Sequence, residues 1–74
     1  MPAVAPGDRQ PGDLVFFRIH GHPHAHVGIY LGDNRFVHAS SHRTNAVMIS
    51  RLDDAYWRKR LDGVRRPMTA FGLR

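Results

Sequence analysis

The sequence predicts a mostly β chain of the α+β family: a small antiparallel β-barrel or sheet of about five strands with one short helix. Three observations carry that expectation. Short apolar runs recur along the chain, each bounded by Gly, Pro, Asp or Asn. Two of them, His26–Gly32 and Arg35–Ser41, alternate around the turn signal Gly32-Asp33-Asn34. Only Ala55–Arg60, preceded by two aspartates, has the composition and capping of a helix.

Length and composition bound the rest. The chain has 74 residues, enough for one small domain, and such a domain buries only about 60% of its unfolded surface. It has no cysteine, so neither a disulfide nor a thiolate metal site supports it. Eleven Lys and Arg oppose six Asp, a formal charge of +5, which favours anionic partners without choosing among nucleic acid, acidic membrane and cell-wall polymer. No run is long and apolar enough for a membrane span, and Met1–Gly7 is too short and uncharged for a signal peptide.

Taken in order, residues 1–9 form a flexible leader rich in Pro and Gly. Pro11-Gly12-Asp13 is a turn feeding a strand at Leu14–Phe17, apolar on both faces, before Arg18 and Ile19 resume alternation. A strand covered on both sides implies that something packs outside the sheet. His20–His26 carries four histidines at alternate positions, but Gly21 and Pro23 make it a loop. A metal site there is conceivable, yet ligands normally come from separate elements locked by outer partners, so no biological metal is expected.

The hairpin that follows fixes a register. Val27, Ile29 and Leu31 share one face, as do Val37 and Ala39, and one core requires both sets on the same side. A three-residue loop, Gly32-Asp33-Asn34, pairs Ile29 with Val37 and Gly28 with His38. The opposite face then carries His26 diagonally beside His38, within reach of a ring-to-ring hydrogen bond. It also carries Gly28 and the cross-strand pair Tyr30 and Phe36. Two adjacent imidazoles suggest a base and its orienter. From spacing alone, two ordinary surface histidines is the simpler reading.

Beyond the hairpin, residues 42–45 are a polar connection, Ala46–Ile49 is a strand, and an Asp caps the helix at Ala55–Arg60. Asp62-Gly63 ends the helix, Val64–Arg66 is the last strand, Pro67 closes it, and residues 68–74 form a tail without signal. Arg58–Arg60 with Arg65-Arg66 could bind phosphate, but only Tyr56 and Trp57 could stack bases among them. A solvated basic face is the simpler reading, and nucleic acid is an unlikely partner.

Gln10–Phe17, His26–Gly32, Phe36–Ser40, Tyr56–Arg60 and Gly63–Arg66 together resemble, in order and spacing, the C-terminal half of the NlpC-type cell-wall peptidases. These are papain-like cysteine peptidases that cut peptidoglycan stem peptides. The resemblance covers residues 10–67 and implies the β half of a papain-like fold. It implies that His26 is the catalytic histidine and His38 the polar residue that orients it, and it implies no cofactor. It names no substrate-binding residue here. The family nucleophile is a cysteine in an Asp-Cys-Ser motif at a helix start, and this chain has neither.

Ser40 and Ser41 are poor substitutes, since neither opens a helix and no oxyanion hole accompanies them. The expectation is therefore a truncated endopeptidase domain, inactive alone, of the cell envelope or secreted. A non-catalytic module binding cell wall or protein is the alternative. The Gly28, Tyr30 and Phe36 face is expected to stay open, and to meet a helical lobe supplied in trans or a second copy.

Overall fold

The computed structural model describes residues 1–40 and 46–67. After a 3-10 turn at Pro6–Asp8 come β1 (Leu14–Ile19), β2 (His22–Gly32), β3 (Arg35–Ser40), β4 (Ala46–Arg51), α1 (Ala55–Arg60) and β5 (Leu61–Arg65). The strands form one five-stranded sheet of order β4-β3-β2-β1-β5, every pairing antiparallel. The expected mostly β fold with one short helix is the one observed. The polar connection at residues 42–45, Ser41 and the tail at 68–74 lie outside the described residues.

The hairpin keeps the expected pairing by a different device. Ile29 faces Val37 and Tyr30 faces Phe36, but the closing pair is Gly32 and Arg35, not Leu31 and Arg35. The loop is the two residues Asp33 and Asn34, both at positive φ (53° and 62°), as a two-residue hairpin turn demands. Leu31 is the extra residue of a bulge, and it restores the parity that a two-residue turn alone would break. The turn is pinned from outside: the Asn34 amide donates to the Tyr30 hydroxyl at 3.1 Å, and the Leu52 amide donates to the Asn34 carbonyl at 2.7 Å.

The core lies on the face opposite to the one the alternation suggested. Val15, Phe17, Tyr30, Phe36, Leu52 and Val64 are buried, and Phe17 and Phe36 are fully so. Val27, Ile29, Val47 and Ile49 stand on the outer face, from 45% to 72% exposed. A period of two tells which residues share a face and not which face turns inward. The connection decides it: β4 and β5 occupy opposite edges of the sheet, so the chain between them crosses a face. The crossing carries α1, and Trp57 lands over Phe17 and Phe36 at 4.8 and 5.4 Å between ring centroids. The open face expected at Gly28, Tyr30 and Phe36 is therefore filled by the chain itself, and all three residues are buried. Gly28 is needed there, since a Cβ would sit 2.6 Å from the Phe36 ring.

Residues 2–4 run beside β5. Ala3 bridges Arg65, the Val4 amide donates to the Val64 carbonyl at 2.9 Å, and the Arg66 amide donates to the Pro2 carbonyl at 2.9 Å. Arg66 also reaches across to Asp13 with a forked pair of bonds, both 2.9 Å, while Asp13 accepts from the Gln10 amide at 2.8 Å. Asp13 is 2% exposed, and the Arg66 guanidinium holds its carboxyl below the ordinary carboxylate value. That fork ties the entry of β1 to the end of β5.

Candidate active site

β2 begins at His22, so the expected histidine loop shrinks to the turn at His20-Gly21. His24 adopts a positive φ of 55° where β2 is irregular against β1, and the simple alternation of His22, His24 and His26 is lost. The His24 ring packs on Phe16 at 5.1 Å, with Nε2 3.5 Å from the Asp62 carboxylate, while His26 faces the core side opposite Phe17. Among the described residues no cluster of three or more His, Cys, Asp or Glu is placed to hold a metal.

His26 and His38 are brought together. His26 Nε2 lies 2.8 Å from His38 Nδ1, and the rings are perpendicular at 89°. The Ile29–Val37 pairing places the two histidines on one face, as the derived register required. His38 is 6% exposed and His26 is half-buried. Burial pushes both imidazoles below their ordinary value, and for His38 repulsion from a charged His26 adds to it. Both are therefore neutral at pH 7, and a neutral imidazole has one nitrogen free to take a proton.

Two residues that the sequence reading did not place here complete the site. Trp57 stacks on His26 at 5.5 Å and 24°, and meets the His38 ring edgewise at 5.0 Å and 76°. Its indole shields the imidazole contact from water. Ser50 Oγ lies 2.9 Å from His38 Nε2. Ser50 comes from β4, opposite Phe36, and only the β3–β4 register reveals it. No turn signature at 41–45 fixes that register in the sequence. Beyond Ser50 opens a cleft of about 330 Å³ lined by Ser50, Arg51, Asp53, Asp54 and Trp57.

The result is a chain of contacts from Ser50 through His38 to His26, and among the described residues no hydrogen-bond partner meets His26 Nδ1. Such an arrangement can accept and return a proton at His26 Nδ1 while holding that ring in place. It holds no thiol, since the chain has no cysteine.

The NlpC/P60 family profile matches residues 2–66. The chain is 43% identical over 67 residues to the murein DD-endopeptidase MepS/murein LD-carboxypeptidase of Escherichia coli K12, covering 90% of this chain and 34% of that one. It is 49% identical over 57 residues to the probable endopeptidase NlpC of the same strain, covering 76% and 36%. Among solved structures, an NlpC/P60 family protein from Bacillus cereus superposes with a TM-score of 0.73 at 33% identity, over 86% of this chain and 21% of that one. The chain thus spans about a third of the length of these two curated relatives. From its sequence and its fold alike, the chain belongs to the NlpC/P60 family.

Proposed function

We propose that this chain supplies the histidine half of a peptidoglycan endopeptidase site. His26 is the general base and acid, and His38 orients it. The observation that carries the reading is the 2.8 Å contact between His26 Nε2 and His38 Nδ1, which holds the ring through Nε2 and does not use His26 Nδ1. In the reaction the thiol of a cysteine outside these residues gives its proton to His26 Nδ1. The thiolate attacks the stem-peptide carbonyl, and the imidazolium returns the proton to the leaving amine. Water, deprotonated by the same histidine, then releases the acyl group from sulfur. The setting is the cell envelope or the secreted space, where the polymer is. Among the described residues no helix is long and apolar enough to cross a membrane.

The nucleophile must come from another segment or another chain, and the surface open to it is not the one first expected. Gly28, Tyr30 and Phe36 are covered, while Val27, Ile29, Val47 and Ile49 present exposed apolar side chains on the outside of the sheet. Those outer side chains lie across the sheet from His26, so the cysteine-bearing half has to reach His26 Nδ1 at the half-buried border of the covered face.

The test is muropeptide release from purified peptidoglycan. The chain alone is expected to release nothing. Adding a cysteine-bearing NlpC/P60 half in trans is expected to produce fragments, and His26→Ala is expected to abolish them. Release by the chain alone that is lost in His26→Ala would reveal a nucleophile within these 74 residues and overturn the assignment.

A further inference from the structure

We infer that Ser50 is a positioning residue that sets the tautomer of the histidine pair, a role that rests on the reading of His26 as the base. When His26 holds a proton, both its ring nitrogens carry hydrogen. Its Nε2–H must then donate to His38 Nδ1, 2.8 Å away. His38 is neutral in that state, so its own proton has to sit on Nε2, and that N–H needs an acceptor. Ser50 Oγ is the atom there, 2.9 Å off.

His38 is 6% exposed and closed in by Phe36 and Trp57, so solvent is a poor substitute for the hydroxyl. Among the described residues, the side chains packed on the two rings are Phe17 from β1, Phe36 from β3 and Trp57 from α1, with Met48 of β4 opposite His38. None of these four is ionisable. Burial lowers the proton affinity of His26, and the charged Arg51, Asp53 and Asp54 face the cleft beyond Ser50; in direct contact with His26 the polar partner is the other imidazole, whose tautomer depends on what it can donate to. Remove the hydroxyl, and the neutral pair gains by turning round: His38 Nδ1–H donates to His26 Nε2, and the His26 proton moves to Nδ1. That occupies the nitrogen the base needs.

The test uses the chain itself, labelled with ¹⁵N, and needs no catalysis, so it stands apart from any failure of the endopeptidase assignment. Ser50→Thr and Ser50→Val differ only by hydroxyl against methyl, and both suit a strand. Long-range proton–nitrogen correlation spectra of the imidazoles report which nitrogen is protonated. In the wild type and in Ser50→Thr the His26 proton is expected on Nε2. In Ser50→Val it is expected to shift towards Nδ1, and the His26 pKa to fall by about one unit as the charged form loses its chain of acceptors. Thermal unfolding of both variants controls for packing, and Ser50→Ala replaces Ser50→Val if the latter does not fold. Unchanged His26 tautomer and titration in the valine or alanine variant would overturn the inference, as would equal changes in the threonine variant.

Discussion

The His26 and His38 rings meet at a right angle, with Nε2 of the first 2.8 Å from Nδ1 of the second. The 2.8 Å separation is that of a hydrogen bond between the rings, and the right angle rules out face-to-face stacking. Because burial holds both imidazoles below the ordinary 6.5, the folded chain binds fewer protons than the unfolded chain in the range just below that value. Stability should therefore be full above about pH 6.5 and fall as pH drops through the depressed folded values. Urea midpoints measured from about pH 8 to about pH 5 check this. A midpoint that holds or rises on acidification would contradict it.

The inversion of the sheet has a direct consequence for mutagenesis. Phe36 is fully buried against Phe17 and Trp57, and Phe36→Ala should cost about 3–5 kcal/mol. Ile49 is 57% exposed, and Ile49→Ser should stay within about 0.5 kcal/mol. Equilibrium denaturation distinguishes the two, and a larger loss for Ile49→Ser would mean that the outer face is the core.

At Gly28 a methyl group would meet the Phe36 ring at 2.6 Å and the Val37 carbonyl oxygen at 3.0 Å. The ring can shift but the backbone oxygen cannot, so Gly28→Ala should cost about 1–3 kcal/mol. Because Phe36 also packs on His38, at 4.7 Å between centroids, the His38 ring resonances should move in the same variant. A neutral substitution with unmoved His38 signals would show that the sheet has more room at Gly28 than its contacts indicate.

Asp13 and Arg66 join residues 53 apart in sequence. Asp13→Ala leaves the Gln10 amide and the Arg66 guanidinium without their acceptor, and should cost about 2 kcal/mol. That is below the range for a fully buried pair because the Arg66 side chain is 40% exposed. With its pKa depressed, Asp13 contributes stability above the ordinary carboxylate value of 3.8 and loses it as pH falls through the lower folded value. Acid unfolding should thus begin at higher pH in a variant lacking Arg66, and an unchanged acid limb in Arg66→Ala would refute the role.

What was legible in the sequence was whatever depends on neighbours along the chain. The number of strands, a helix capped by an Asp and the Ile29–Val37 pairing follow from short-range patterning, although β5 starts at Leu61 and takes in Asp62-Gly63, expected as the helix end. The adjacency of His26 and His38 followed too, although a bulge at Leu31 and not a longer loop secures it. The inward face was not legible. Val27, Ile29 and Val37 are as apolar as Tyr30 and Phe36, and the choice rests on α1 crossing the sheet between its two edges. Ser50 was hidden for a similar reason, since its meeting with His38 needs the register of β4. Trp57 stands in the sequence only as a possible platform for stacked bases, and α1 seats it on both imidazoles instead.

The central claim is that His26 serves as the base for a cysteine that this chain does not carry. It is tested most directly by a chimera in which residues 10–67 replace the matching third of the E. coli murein DD-endopeptidase MepS, whose remaining chain is to supply the nucleophile. Muropeptide release by the chimera is measured beside that of the chimera bearing His26→Ala. The expected result is release by the first and a loss of at least about 10²-fold in the second, the least that a proton-transfer group contributes. Release that survives His26→Ala, from a chimera that folds, would contradict the claim.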